Sequence, residues 1–261
     1  MSTLMQSSPA QSTVENRLLS ALSAEDFAQL APSLERIHLP VRFLMGGRGE
    51  VMDTVYFPET AVASLLAISP DGNRVEAGLF GAEGMSGLPV LLAEGRSPHD
   101  SLIQVEGNAL RMPADAFAKA AWDSPTLMSL MLRYAQTSSV QVAHTALSNA
   151  LHTINERLAR WILMCHDRVP TDQIALTHDF MALMLGTRRS SVTLALQTLE
   201  GSGLIRSLRG QVVVRDRAGL EEFAGDAYGA PEAEYERLIG PMPRPRSKDG
   251  VGGGASIGPT S

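Results

Sequence analysis

The stretch from Leu176 to Ile205 restricts the fold of this chain more than any other, because apolar residues recur in it at helical spacing on both sides of one glycine. They are Phe180, Met181, Met184 and Leu185 before Gly186, and Val192, Ala195, Leu196 and Leu199 after it. Glycine suits a chain reversal because it tolerates a positive φ. We expect the hydroxyl of Thr187 to cap the second helix. The pattern predicts two helices joined by a tight turn.

The second helix would carry a polar stripe if its apolar residues face inward. The stripe holds one cation, three small hydrogen-bonding side chains and no carboxylate, namely Arg189, Ser190, Thr193 and Gln197. A helix lying in the major groove of DNA needs such a surface. Two amphipathic helices with a glycine turn also occur in domains that do not bind DNA, so this pattern alone leaves both interpretations open.

A short hairpin is predicted directly after this helix. Gly201 and Gly203 would end the helix, and two apolar runs then flank Gly210. These runs are Leu204-Ile205 and Val212-Val213-Val214, with Arg206 and Arg209 between them. The turn, the arginine-led helix and the basic hairpin come in the order of a winged helix-turn-helix. The sequence therefore favours DNA binding.

This segment resembles the DNA-binding domain of the Crp/Fnr family of bacterial transcription regulators. The matching positions are Leu176-Thr177, Ala182, Leu185-Gly186, Arg189, Val192, Leu199-Glu200 and Gly203-Leu204-Ile205. The resemblance covers residues 17–225 and is most specific over residues 151–225. It implies that Arg189 contacts DNA. Ser190 stands where the family often has Glu, and Leu194 where a second arginine often follows, so the family's best-known operator sequence cannot be carried over.

The cysteine content and the apolar runs limit the class of protein. Cys165 is the only cysteine, so the chain has no internal disulfide and cannot hold an iron–sulfur cluster, which needs several thiolates. No run reaches the roughly 18–20 apolar residues of a membrane span, and the first residues lack the pattern of a signal peptide. No group of residues has the spacing of a catalytic or metal site. We expect a cytoplasmic protein that is not an enzyme and does not contact membranes.

The charge is unevenly distributed along a chain whose net charge is −6. Residues 1–125 hold 8 Lys and Arg against 15 Asp and Glu, whereas residues 186–217 hold six arginines against Glu200 and Asp216. A basic edge on an acidic body suffices for contact with DNA phosphates.

The N-terminal half predicts the strands of an α+β protein. We expect residues 1–13 to be flexible and residues 14–30 to form a helix that ends at Pro32. Period-two apolar runs then follow without intervening helices, at residues 37–39, 43–45, 51–57, 61–69, 74–80, 102–105 and 109–112. Asp71-Gly72-Asn73 is a hairpin signal. Residues 14–125 are predicted to form an antiparallel β-roll, which the resemblance identifies as an effector-sensing domain.

The candidate effector site lies in residues 81–101. In cyclic-nucleotide binders of this fold, a Gly-Glu pair is followed about a dozen residues later by Arg-Ser/Thr-Ala. Here Gly84-Met85 replaces the first motif and Arg96-Ser97-Pro98 retains only part of the second. The candidate effector-binding residues are Glu83, Met85, Ser86, Arg96 and Ser97. Because no carboxylate stands where the ribose would bind, the pattern disfavours a cyclic nucleotide and leaves the effector unidentified.

A long helix over residues 126–150 is expected to follow the roll. It carries Leu127, Leu130, Met131 and Tyr134 on one face and Val140, Ala143, Leu147 and Ala150 on a neighbouring one. The first face could form a dimer seam or pack on the roll of its own chain. The resemblance implies a dimerisation helix, and reading a symmetric DNA site requires a dimer. We expect a hinge at residues 149–153.

These observations predict a β-roll, a dimerisation helix, a winged helix-turn-helix over residues 151–225, and a short helix with a disordered tail over residues 226–261. The predicted function is transcription regulation through double-stranded DNA, bound as a homodimer and modulated by a small effector. The candidate DNA-binding residues are Thr187, Arg188, Arg189, Ser190, Ser191, Thr193, Gln197, Arg206 and Arg209. An activator would also contact RNA polymerase. The alternative is a small-molecule-sensing module that acts through a protein partner rather than DNA.

Overall fold

A computed structural model describes residues 8–243. Its helices are α1 (Arg17–Ser20), α2 (Ala24–Leu30), α3 (Leu88–Leu91), α4 (Ala114–Asp123), α5 (Pro125–Leu151), α6 (Ile154–His166), α7 (His178–Met184), α8 (Arg189–Gly201), α9 (Arg217–Ala224) and α10 (Ala230–Leu238). Its strands are β1 (Glu35–Leu39), β2 (Leu44–Gly46), β3 (Thr54–Pro58), β4 (Val62–Ile68), β5 (Arg74–Phe80), β6 (Asp100–Val105), β7 (Gly107–Pro113), β8 (Gln173–Ile174), β9 (Ile205–Leu208) and β10 (Gln211–Val214).

Strands β1 to β7 form two antiparallel sheets, and the predicted β-roll is confirmed. One sheet has the order β1-β7-β3 and the other β2-β6-β4-β5. The predicted hairpin joins β4 to β5, where the Asn73 carbonyl accepts from the Ser69 amide at 2.9 Å. Side chains from both sheets, such as Tyr56, Ala63 and Ile103, form the apolar interior of the roll. The α+β class predicted from the sequence is therefore correct.

The N-terminal segment differs from the single helix predicted over residues 14–30. The chain forms two helices, α1 and α2, because Asn16 and Ser23 each accept a capping hydrogen bond at the start of one of them. Of the residues expected to be flexible, residues 11–13 have a defined conformation. Residues 11–13 form a 3₁₀ turn, and the Gln11 amide donates to the carbonyl of Leu22 at 2.9 Å. Residues 1–7 lie outside the described residues.

Helix α5 is the long helix expected after the roll, with Ser124 as its N-cap. The seam proposed for its first half is wrong, because those side chains pack inside their own chain. Leu127, Leu130, Met131 and Tyr134 belong to the cluster formed with α1, α2, α4 and the roll. Of the neighbouring face, Ala143, Leu147 and Ala150 are exposed.

The C-terminal domain is a three-helix unit with a three-stranded wing. Helix α6 begins with a capping box between Thr153 and Glu156, immediately after α5 ends, so the two helices meet at residues 152–153. The wing sheet has the order β8-β10-β9, and its first strand was not predicted. The apolar cluster of this domain includes Val62, Leu66 and Leu79 of the roll. The domain is therefore packed against its own β-roll.

The chain continues beyond the wing through α9 and α10. The short helix expected after residue 225 is α10, which returns to α5. Met242, in the segment predicted to be disordered, is buried in the cluster of the roll and α5. Residues 244–261, with Arg244, Arg246 and Lys248, lie outside the described residues.

Candidate nucleic-acid interface

Helices α7 and α8 and the turn between them form the predicted helix-turn-helix. Gly186 adopts a φ of +58° between the two helices, as expected for the reversal. Thr177 caps α7 by accepting from the Phe180 amide at 3.2 Å. At the other end of α7, the Arg157 guanidinium donates to the Leu185 carbonyl at 2.6 Å. Contacts at both ends therefore hold the first helix in place.

The inward face of α8 is the one predicted from the sequence. Val192, Ala195, Leu196 and Leu199 are buried against α6 and α7. The opposite face presents the candidate groove residues to solvent. Arg188, Arg189, Ser190 and Gln197 are exposed, and Thr187, Ser191 and Thr193 are half-buried. Leu194 is 65% exposed on the same face, where it can reach a thymine methyl group.

The start of α8 differs from the prediction in one respect. The N-cap residue is Arg188 and no side chain caps this end, so Thr187 does not have the role expected of it. The first amides of α8 consequently lack a side-chain acceptor. Free amides at a helix N-terminus favour contact with an anion such as a DNA phosphate.

Two residues at the start of α7 were missed by sequence reasoning. His178 Nδ1 lies 3.0 Å from the Thr193 hydroxyl, which itself donates to the Arg189 carbonyl. Asp179 Oδ1 lies 3.2 Å from Arg189 Nε, and both side chains are exposed. The signal that could have revealed them is their position at the start of α7, directly before its apolar residues. They orient two candidate groove residues.

The wing is tied to α8 by a hydrogen bond. Glu200 Oε1 accepts from the Ser207 amide at 3.0 Å, so the carboxylate at the end of α8 positions β9. Arg206 and Arg209 are exposed on the hairpin. Arg217, which adds to the basic charge of the sequence, is instead bound to Asp167 at 2.7 Å. The wing arginines remain available to a ligand beside α8.

The structure does not bring the five candidate effector residues together. Met85 is a core side chain, and Ser86 accepts from the Tyr56 amide. Arg96 donates to the Gly49 carbonyl at 3.0 Å, and the Ser97 hydroxyl donates to the His99 carbonyl. Glu83 lies elsewhere, against β5 and α5. No common site for a ligand results.

Glu83 forms a buried ion pair that sequence reasoning did not find. Arg168 Nε donates to Glu83 Oε1 at 2.7 Å, and the two side chains are 2% and 4% exposed. Burial alone would lower the pKa of Arg168, but Glu83 and Asp167 outweigh it and raise that pKa. The carboxylate nearest to the ribose position of the sequence motif is therefore occupied by an arginine that follows α6.

The cavity beside this ion pair is small. It has a volume of about 30 Å³ between β5, α5 and α10, which corresponds to one water molecule. The hydroxyl of Tyr134 closes one side of it, because it accepts from the Met85 amide at 3.1 Å. A nucleotide does not fit in this cavity.

The remaining candidates for chemistry offer no site. Cys165 is fully buried, and burial raises the pKa of its thiol. No group of three or more His, Cys, Asp and Glu that could hold a metal occurs among residues 8–243. Over the same range, no helix combines the length and apolar character needed to cross a membrane.

Comparison with known protein families identifies the class of the C-terminal domain. The family model described as the Crp-like helix-turn-helix domain matches residues 156–223, which include α7, α8 and the wing. Residues 156–223 are therefore a Crp-like helix-turn-helix domain. No curated protein matches the chain in sequence.

Three solved structures show that the fold of the chain is shared with other proteins. FixK2 from Bradyrhizobium japonicum is 18% identical with a TM-score of 0.64, over 74% of this chain and 98% of that one. A CRP-family transcriptional regulator from Thermus thermophilus, TTHB099, is 21% identical with a TM-score of 0.62, over 74% and 99%. The c-di-GMP responsive global regulator CLP of Xanthomonas campestris is 14% identical with a TM-score of 0.59, over 74% and 99%.

The resemblance to Crp/Fnr transcription regulators is thus confirmed by the domain match and by the shared fold. The family model assigns the helix-turn-helix domain, and the solved structures show the fold of the chain.

Proposed function

We propose that this chain is a sequence-specific transcription regulator that binds a two-fold symmetric DNA site as a homodimer. The observation that carries the proposal is the exposed face of α8, which presents Arg189, Ser190 and Gln197 beside a basic wing and carries no carboxylate between residues 187 and 199. Two such helices would enter successive major grooves about 10–10.5 base pairs apart. The protein would act in the cytoplasm, with its DNA target.

The candidate side chains have different roles in this proposal. Arg189 supplies the main base or phosphate contact, for which it must leave Asp179. Gln197 reads an adenine edge. Ser190, Ser191, Thr193 and Thr187 bind phosphates or base edges, and Arg188, Arg206 and Arg209 clamp the phosphate backbone.

A second copy of the chain is the proposed partner of α5. Residues spaced alternately by four and three positions along its outer face are all exposed: Leu132, Gln136, Ser139, Ala143, Ala146 and Ala150. This is heptad spacing, and the small side chains allow two helices to approach closely. The pairing would bring two α8 helices to one duplex. RNA polymerase is a further partner if the regulator activates.

The experiment that tests DNA binding has two steps. Selection from random duplexes should recover a palindromic site, and gel-shift titration of Arg189→Ala on that site should show affinity weakened by about 1–3 kcal/mol. Arg111→Ala is the control, because Arg111 pairs with Glu35 on the roll and should leave affinity unchanged. Affinity should also fall steeply with salt. Weak, salt-insensitive DNA binding would instead support the module that acts through a protein partner.

Control by a small effector requires a conformation in which the β-roll is open to a ligand. The cavity between β5 and α5 is too small for a metabolite as it stands. The c-di-GMP response belongs to CLP, and a thermal-shift screen of nucleotides, including c-di-GMP, would test for such a ligand here.

A further inference from the structure

The segment after the wing returns from the DNA-binding domain to the sensor domain. Helix α9 packs on α6, whereas α10, only a few residues later, packs on α5. Residues 225–242 therefore connect the helix-turn-helix, the long helix and the β-roll of the same chain.

Contacts of this segment with the roll and α5 are those of a protein core. The Tyr235 hydroxyl donates to the Glu83 carbonyl at 2.9 Å, and Tyr235 is 4% exposed. Arg133 of α5 donates to the Leu238 carbonyl at 3.2 Å. Met242 is buried in the same apolar cluster as Leu130.

Contacts with the DNA-binding domain are polar and partly buried. The Tyr228 hydroxyl donates its single proton to Asp167 at 2.8 Å and accepts from Arg217 at 2.8 Å. Glu232 is buried, and its carboxylate acts electrostatically on Arg160 of α6 and on Arg168, which follows α6. Burial raises the pKa of Glu232, whereas Arg168 and Arg160 lower it, so the segment places a carboxyl group near two buried cations.

The side chains of α10 also form one wall of the cleft between β5 and α5. Pro231, Glu232, Tyr235 and Met242 line the cavity on one side, opposite Phe80 and Tyr134. The volume that remains is about 30 Å³. A different position of α10 would open this cleft to solvent.

We propose that residues 225–242 are an intramolecular latch: they occupy the cleft between the β-roll and α5 and hold the DNA-binding domain in one orientation without a diffusible ligand. The latched form leaves the groove-facing side of α8 exposed, so it is the form that binds DNA. Its release lowers the fraction of chains in the binding orientation and weakens DNA binding in proportion. The link between the latch and DNA binding rests on the proposed function, whereas the latch itself does not.

The test uses the full chain with Tyr235→Ala, and Arg237→Ala as the matched control. Arg237 lies on the exposed side of the same helix and pairs only with Glu234 among the described contacts. Hydrogen exchange should accelerate at least about tenfold in residues 79–85 and 225–242 of Tyr235→Ala, since local opening exposes their amides. The control should match the parent chain. DNA affinity should fall about tenfold in the first variant only.

Each outcome decides between the parts of the proposal. Equal exchange in the two variants overturns the latch. Faster exchange with unchanged DNA affinity overturns its role in DNA binding and leaves the structural role. A parent chain that binds no duplex refutes the proposed function, while the exchange result still decides the latch. If Tyr235→Ala does not fold, Tyr235→Phe removes only the hydrogen bond to Glu83 and should raise exchange at residues 83–85 relative to the control.

Discussion

The hydroxyl of Ser64 lies between two acceptors in the interface between the β-roll and α6. It is 2.7 Å from Glu76 Oε2 and 2.6 Å from Gln104 Oε1, yet it has a single proton to donate. A protonated Glu76 resolves this arrangement by donating to Ser64, which then donates to Gln104. The indole of Trp161 donates to the other oxygen of Glu76 at 2.8 Å. Burial raises the pKa of Glu76 to about 7.

Replacing Glu76 by glutamine should change how stability depends on pH. Because the carboxyl binds its proton more tightly in the folded chain than in the unfolded chain, whose pKa is near 4.5, the free energy of unfolding decreases as pH rises from that value to about 7. Above this pH range, ionisation of the buried Glu76 lowers the free energy of unfolding by about 3 kcal/mol. As the pH rises from about 5 to about 8.5, the free energy of unfolding of Glu76→Gln should therefore increase by about 3 kcal/mol relative to that of the parent chain.

Urea unfolding of both chains across this pH range measures the effect of Glu76→Gln. The other titrating groups contribute equally to both chains, so the difference isolates Glu76. Parallel stability curves would mean that Glu76 is ionised in the folded chain at neutral pH.

The turn between α7 and α8 is the element that allows α8 to form its angle with α7. Gly186 has a φ of +58°, and an added Cβ would lie 3.1 Å from Val75 Cγ2 on the roll. Gly186→Ala should destabilise the chain by about 1–2 kcal/mol, because an L-residue is strained in this conformation.

Gly201 provides the matched control for the turn glycine. It ends α8 without a positive φ, and an added Cβ would meet no atom within 4 Å. Gly201→Ala should raise stability by about 0.5–1 kcal/mol, since it restricts the unfolded chain. Thermal unfolding of both variants measures the pair. Equal shifts of the melting temperature would contradict the assignment of the strain to Gly186.

The outer face of α5 gives a prediction for the helix as a whole. Leu132→Glu should convert the dimer into a monomer, because it places a carboxylate in the proposed seam. Trp122→Glu is the control, since Trp122 is equally apolar, 64% exposed and located on α4. Light scattering coupled to size-exclusion chromatography measures both masses. A chain that keeps its dimer mass with Leu132→Glu must pair through another face.

Elements governed by local sequence could be predicted, and elements governed by distant contacts could not. The inward face of α8 follows from the spacing of Val192, Leu196 and Leu199 alone, and the strands of the roll follow from alternation. The inward direction of Tyr134 could not be predicted, because an apolar stripe suits a dimer seam and a core equally well. Tyr235 bonds to a residue 152 positions away, which no periodicity reveals.

At the scale of the molecule, the β-roll and the helix-turn-helix domain share one interior. The apolar cluster of α6, α7 and α8 continues into β4 and β5, and the Glu83–Arg168 ion pair is buried at this junction. Gly81 donates its amide to the second oxygen of Glu83, and Arg168 donates to the Met164 carbonyl. The pair therefore couples the loop after β5 to the end of α6.

Removal of either charge should strongly destabilise the folded chain, because the other charge remains buried at this junction. Arg168→Met should destabilise the chain by about 3–5 kcal/mol, because it leaves the Glu83 carboxylate buried without a counter-charge. Glu83→Gln combined with Arg168→Met should cost less than the sum of the single changes, by about 1–3 kcal/mol, since the double variant buries no charge at this position. Urea unfolding of the four chains measures this coupling. The exposed pair Glu35–Arg111 is the control and should couple by less than about 1 kcal/mol. If the two cycles give the same coupling energy, the Glu83–Arg168 pair does not couple the two domains more strongly than a surface pair would.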